Sequence, residues 1–341
     1  LVPVVAAFAA LVFCGIFFAV TGRDPFEVYY AMFSGALGSE YGISETIVKM
    51  IPLAMCGLGI AIAFRMQIWN IGAEGQFYMG ACAASWLPLT YPDLPSMIML
   101  PGMLLLGAAA GGMWGLLAGW FKTKWLVSEL ITTLMMNYIA TQLVAFFTIV
   151  WEVPKGSGKI GIINQNTNVG WLPQLFGSKY LLPIVVAVIV TVFMHIYLWY
   201  SKHGYEICVV GESENTAKYV GIKVEKVIIR TMILSGAICG LVGLLLVGGI
   251  NHTVTTTIAG GQGFTAVLVS WMSKFNPFTM IFSSLLIVFM DRGASEISTN
   301  FGLNHSYSDI LTGIILFFII GCEFFITYRL QFRKKTEKEE Q

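Results

Sequence analysis

Ser201–Arg230 reads SKHGYEICVVGESENTAKYVGIKVEKVIIR. It is the longest strongly charged interior segment of a chain that is otherwise one apolar run after another. Apolar stretches long enough to cross a bilayer flank it on both sides. Its core is Gly204–Lys223, in which Gly211 and Gly221 bound the charged stretch Glu212–Tyr219. That spacing predicts one compact helix set across the ends of two spans. A hydrophilic helix cannot enter lipid, so it lies at a membrane surface and offers itself to a soluble partner. The plainer reading is an ordinary basic loop between spans.

Of the 341 residues, 56% are hydrophobic and only 11% charged, too few charges to cover a soluble protein of this length. The fold class is therefore an all-α integral membrane protein. A net charge of +1 argues against a nucleic-acid partner. Cys14, Cys56, Cys82, Cys208, Cys239 and Cys322 show no CxxC spacing and read as small apolar side chains. Leu1–Val20 is uncharged and as long as a spanning helix, so it is expected to be a true span that continues from a few residues upstream.

Ten spans can be drawn, at 1–20, 46–64, 70–90, 97–120, 129–150, 181–200, 228–250, 261–273, 277–290 and 307–328. The eighth and ninth are short and interrupted by Gly or Pro, and a re-entrant pair is the alternative there. Basic residues test the layout, because they concentrate in cytoplasmic loops. With the chain starting inside, the inner segments hold Arg65, Lys122, Lys124, Lys202, Lys218, Lys223, Lys226, Arg230, Lys274 and five residues of the tail. The outer segments hold Arg23, Lys49, Lys155, Lys159, Lys179 and Arg292, a split of fourteen against six. The expected division is a membrane domain over 1–328, with its loop at 201–230, and a cytoplasmic, unstructured tail at 329–341. The basic part of that tail suits anionic membrane lipid.

Four features inside the spans stand out. Gly107, Gly111, Gly115 and Gly119 recur every four residues, the pattern of a close helix–helix seam. Asn70–Gly80, NIGAEGQFYMG, puts Glu74 and Gln76 between glycines near the start of a span. A carboxyl at that place is either a helix-terminus cap or part of a gate or pathway. Ala259–Trp271, AGGQGFTAVLVSW, can be set beside GAEGQFYMGACAASW, and the two spans run in opposite directions. Two five-helix halves of inverted topology would produce that relation. After Ser128-Glu129, a good helix start, Thr133, Asn137 and Thr141 form a polar stripe that must face other helices or water.

Trp151–Lys179 is polar and rich in Asn, Gly and Pro, and reads as an external docking or shielding loop. Its KGSGK is no phosphate loop, since Val153 stands where the first Gly belongs and Ile160 follows the Lys. His195, His203, His252 and His305 are scattered, giving neither a metal site nor a catalytic constellation. No enzyme is expected. An ion-coupled carrier would need an ionisable group in mid-membrane; Glu74 reads as near an end, and Asp291, Glu296, Asp309 and Glu323 as at or beyond span termini.

VVGESENTAKYVGIKV resembles the cytoplasmic G-E-N-x-x-A-A-x-Y-x-G-I signature of ABC-importer permeases of the branched-chain amino acid, ribose and simple-sugar group. NIGAEGQ and SELITTLMMNYIA resemble segments of its nucleoside branch, which is linked to basic membrane proteins. Ser213 and Lys218 depart from the signature. The resemblance implies an importer permease of the bacterial cytoplasmic membrane, with its C-terminus in the cytoplasm, that moves nucleosides by alternating access. A simple sugar such as a pentose is the alternative cargo. It implies two ATP-binding subunits, a second similar permease as heterodimer or homodimer, and an external substrate-binding lipoprotein. No cofactor is expected in this chain, ATP and Mg belonging to the partner subunits. Gly204, Gly211, Glu212, Glu214, Asn215, Ala217, Lys218, Tyr219 and Gly221 would couple to the ATPase. Glu74, Gln76, Thr133, Asn137, Thr141 and Gln262 would offer polar groups to a neutral cargo, and Trp69, Phe77 and Tyr138 rings to stack on a base.

Overall fold

The computed structural model describes residues 24–175 and 177–302, together with 12–13, 15–16, 18–19, 306, 310, 312–314, 317–318 and 321. The described residues are almost wholly helical. They run α1 (Pro25–Leu37), α2 (Glu40–Phe64), α3 (Ala73–Thr90), α4 (Ser96–Trp125), α5 (Glu129–Val150) and α6 (Leu181–Tyr200). Then come α7 (Lys202–Glu212), α8 (Glu214–Tyr219), α9 (Val224–Leu246, extended by a π turn over Val247–Asn251), α10 (Gln262–Met272) and α11 (Pro277–Asn300). Six helices, α2, α4, α5, α6, α9 and α11, are long and apolar enough to cross a membrane among the described residues.

Two compact units emerge, one from Leu1–Thr46 with Leu286–Gln341 and one from Ile47–Leu285. In the first, α1 packs on the second half of α11 around Phe18, Val28, Met32, Ala294 and Ile297. A Cβ on Gly293 would strike the Met32 side chain, so the helices approach closely there. Asp24 starts α1 by accepting from the Phe26 N–H at 2.9 Å, with Pro25 in the first turn.

In the larger unit α9 is the centre, packed most extensively on α4 and α3. Most of α9 and α2 is buried, whereas α4 and α6 leave most of their surface open. Their outward residues, among them Leu105, Ile189 and Phe193, are large and apolar. That is a bundle solvated by lipid, with its polar groups turned inward. The glycine column of α4 is the seam: a Cβ on Gly111 would collide with the Gly236 carbonyl oxygen, and one on Gly240 with the Gly107 carbonyl oxygen. Backbone lies on backbone, the contact that small residues permit in membranes.

One end of this unit gathers basic residues. Lys122 of α4 pairs with Glu129 of α5 at 2.8 Å, Arg230 of α9 with Glu206 of α7 at 2.8 Å, and Arg65 stands over the Trp199 ring at 4.2 Å. Lys202, Lys218, Lys223 and Lys226 belong to the same end by chain continuity. At the other end the loop after α5 folds back: Leu172 donates to Gly248 O at 2.7 Å, Ile163 N to His252 O at 2.8 Å, and Asn164 to Pro88 O at 3.0 Å. The glycine amides of KGSGK are occupied by Glu152, which accepts from Gly156 and Gly158 at 2.7 and 2.8 Å.

Against the expected layout, five differences stand out. The segment drawn as a loop before residue 46 contains α1 and the first turns of α2. The eighth span is an 11-residue helix, about 16 Å long, half of what a bilayer requires. The ninth continues to Asn300, so Asp291, Arg292 and Glu296 lie within a helix instead of beyond it. Ser128 takes the N-cap position of α5 without a side-chain bond, and its neighbour Glu129 turns to Lys122 instead. The compact helix expected between Gly211 and Gly221 is present over Glu214–Tyr219, but a second helix, Lys202–Glu212, precedes it across a break at Ser213. The expected spans at 1–20 and 307–328 and the tail at 329–341 lie largely or wholly outside the described residues, as do Cys14 and Cys322.

Candidate functional site

The two similar glycine-rich segments meet. Glu74, in the first turn of α3, places Oε1 3.0 Å from the Gly261 N–H and Oε2 2.7 Å from the Gly263 N–H, at the opening of α10. The carboxyl group thus takes two of the unpaired amides that every helix N-terminus presents. Gly261 has φ +76, a left-handed conformation that suits glycine, and a Cβ on Gly263 would run into the Glu74 backbone. Glu74 itself is only 5% exposed.

Between His252 and Gly261 the chain is unwound, and the Tyr78 hydroxyl, one turn beyond Glu74, donates to Thr256 O at 2.6 Å. This crossing therefore consists of an irregular segment from the loop end and a short helix to the basic end. Irregular backbone at such depth is tolerated because protein groups satisfy it. The level of the junction follows from its neighbours. Gln76 packs near Gly115, seven residues or about 10 Å inward of Lys122. Glu74, two residues nearer that end than Gln76, therefore lies about 7 Å inside the charged rim.

A polar lock holds the start of α3. The Asn70 amide donates to Ser235 Oγ at 2.8 Å and exchanges bonds with the Gln76 amide at 3.2 and 3.3 Å. Asn137 of α5 accepts from the Gly75 N–H at 2.8 Å and donates to Ile71 O at 2.9 Å. Thr133 returns its hydroxyl to Glu129 O at 2.7 Å and Thr141 to Asn137 O at 3.0 Å. Of the expected pathway residues, Glu74, Gln76, Thr133 and Asn137 are buried around the start of α3, and Phe77 is buried on the same helix, its ring stacked on Tyr78. Thr141 and Gln262 are half-buried, and Tyr138, 63% exposed, points away from that cluster. Asn70, the first residue of NIGAEGQ, and Ser235, which carries no periodic or motif signal, complete the lock.

The second assembly is the bracket α7–α8 at the basic end. Ser201 caps α7 by accepting from Gly204 N–H at 3.0 Å, and Ser213 caps α8 by accepting from Thr216 N–H at 3.2 Å. Gly204 and Gly211 are contact points inside α7, not helix boundaries: a Cβ on Gly211 would strike the Arg65 carbonyl oxygen at the end of α2. Gly221, φ +87, closes α8. Burial opposes ionisation of Glu206, but hydrogen bonds from Arg230 and His203 outweigh it and hold the carboxyl below its ordinary range. Ala217 faces inward, while Glu212, Glu214, Asn215 and Lys218 are exposed and Tyr219 is 93% exposed. A rigidly seated helix pair thus presents a polar edge with one large aromatic ring standing free.

No group of three metal-ligating side chains occurs among the described residues. Residues 42–320 match the family described as branched-chain amino acid transport system / permease component. The chain is similar to the guanosine ABC transporter permease protein of Bacillus subtilis, 31% identical over 94% of this chain and 92% of that one. It is similar to the nucleoside ABC transporter permease protein of Lactococcus lactis subsp. cremoris, 29% identical over 94% and 90%. A glucose ABC transporter permease protein of Haloferax volcanii is 28% identical over 96% and 89%.

Proposed function

The chain belongs to the family of branched-chain amino acid transport system permease components, and from that premise we propose that it is the nucleoside-conducting subunit of an ATP-driven importer. It is a multi-pass membrane transport component, not an enzyme. The observation that carries the mechanism is the bracket: α7–α8 is fastened to the ends of α2 and α9 by the Gly211–Arg65 contact and the Glu206–Arg230 pair, with its polar edge free. A soluble ATP-binding subunit seated on Glu212, Glu214, Asn215, Lys218 and Tyr219 would move the starts of α9 and the end of α2 together. The basic end then faces the cytoplasm, in keeping with the distribution of Lys and Arg.

Cargo is proposed from the relatives named for guanosine and nucleosides, with the glucose relative marking the alternative. In this reading Glu74, Gln76, Thr133 and Asn137 fix the wall of the path, and Thr141 and Gln262 retain surface for solute. A second permease copy or homologue, an external binding protein, and partner-held ATP and Mg complete the assembly; the membrane domain takes in 1–328 with its coupling loop at 201–230.

The test is uptake into vesicles holding the assembled transporter. Labelled guanosine should enter only with ATP, survive collapse of the proton gradient, and be outcompeted by nucleosides and not by glucose. Competition by glucose alone would replace the cargo; gradient dependence without ATP would overturn the mechanism.

A further inference from the structure

Where α2 and α10 end, four aromatic rings surround a cavity of about 330 Å³ lined by Phe64, Gln67, Ile68, Trp69, Trp271 and Phe275. The volume is at the low end for small-molecule sites. The rings form one set: Phe64 to Trp69 is 5.3 Å between centroids, Trp69 to Trp271 5.7 Å, and Trp271 to Phe275 5.6 Å. Phe64 is buried behind them, while Trp69 and Trp271 are 41% and 43% exposed. Each ring packs against the next, so the four together form one continuous aromatic wall of the hollow.

The backbone around the hollow is shaped for it. Both helices end in the same cap, Ile68 N–H to Ala63 O and Gln67 N–H to Phe64 O in α2, Phe275 N–H to Ser270 O and Lys274 N–H to Trp271 O in α10. Such caps usually place glycine at the left-handed position. Here Gln67 (φ +57) and Lys274 (φ +48) occupy it, so a polar side chain is kept where glycine would be easier. Gln67, exposed, puts an amide at the rim of an aromatic hollow.

We infer that this basin is a binding station for the nucleobase at the basic-end mouth, Trp69 and Trp271 stacking on the ring and the Gln67 amide hydrogen-bonding its polar edge. The inference rests on the nucleoside reading and adds its recognition chemistry: a flat, apolar-faced, polar-edged ring, with the sugar left to water. A sugar without a base offers no face to these rings. Station and junction share one element, since the opposite end of α10 is the end held by Glu74.

The assembled transporter in lipid nanodiscs tests it. Guanosine should quench tryptophan fluorescence and ribose at equal concentration should not. Trp69→Leu and Trp271→Leu, which keep apolar bulk, should each raise the uptake KM for guanosine on the order of tenfold, the scale of one base–aromatic stack. Gln67→Gly relaxes the helix cap while removing the amide, so it should fold at least as well and still raise KM. If the unaltered transporter takes up guanosine and all three variants keep its KM and its quenching, the basin is only interfacial packing and the proposal fails. If the unaltered transporter takes up no nucleoside, the cargo reading fails and the basin's ligand with it.

Discussion

Glu74 joins two places 189 residues apart by two hydrogen bonds to backbone amides. Glu74→Ala leaves the Gly261 and Gly263 N–H groups buried without partners, at roughly 1–3 kcal/mol each, so thermal unfolding of the purified protein should start well below that of wild type. Glu74→Gln keeps one acceptor and should lose about half as much. Asn137→Ala removes bonds to Gly75 and Ile71 and should likewise destabilise by roughly 1–3 kcal/mol. An unchanged melting curve would make these side chains pathway groups instead of fasteners. That a carboxyl between glycines matters was legible in NIGAEGQ; its partner was not, because backbone amides carry no side-chain signal.

At the loop end, His252 stacks on Trp171 with ring centroids 3.7 Å apart and planes 8° from parallel. Burial first, then the nearby Lys179 charge, lowers its pKa below the ordinary value of about 6.5. The folded protein thus prefers neutral His252, and the stabilisation is complete above about pH 6.5 and is lost as pH falls below it. Proteolysis of the loop Trp151–Tyr180 should accelerate on acidification. His252→Asn tolerates the left-handed backbone and should abolish that pH dependence.

Among elements, long spans were legible because twenty apolar residues in a row have few other readings. Helix α1 was missed since PFEVYYAMFSGAL mixes polar and aromatic residues too evenly. The shortness of α10 is legible in the glycines that interrupt 261–273, whereas the unwound Thr253–Gly261 is not, being no more polar than a capped helix start. The break at Ser213 is hidden by Gly211, which marks a contact with the end of α2 and not a helix end. The seam of α4 is readable from four glycines; its partners Gly236 and Gly240 on α9 form too short a column to stand out, and Gly243 one turn on packs against α3 instead. Gly240→Leu forces backbone apart across α4 and α9 and should abolish a monodisperse peak in size-exclusion of detergent-solubilised protein; Ala110→Leu, on the facing helix α4 but half-exposed, should not. Gly211→Leu should spare that peak yet lift α7 from the end of α2, leaving ATP hydrolysis uncoupled from uptake.

At the scale of the molecule, the described residues of the larger unit form a lipid-solvated bundle with two polar assemblies of consequence, the Glu74 junction within and the α7–α8 bracket at the basic end. Alternation of basic loops already pointed to that segregation, because charge resists crossing a bilayer whatever the helices do inside it. The central claim is that the bracket stands in the compartment that holds ATP. With Cys208 replaced by serine, Glu214→Cys and Ser157→Cys should be labelled by a membrane-impermeant maleimide in opposite ways. Intact cells should modify residue 157 alone, and residue 214 should react only after permeabilisation. Labelling of residue 214 on intact cells would contradict the account.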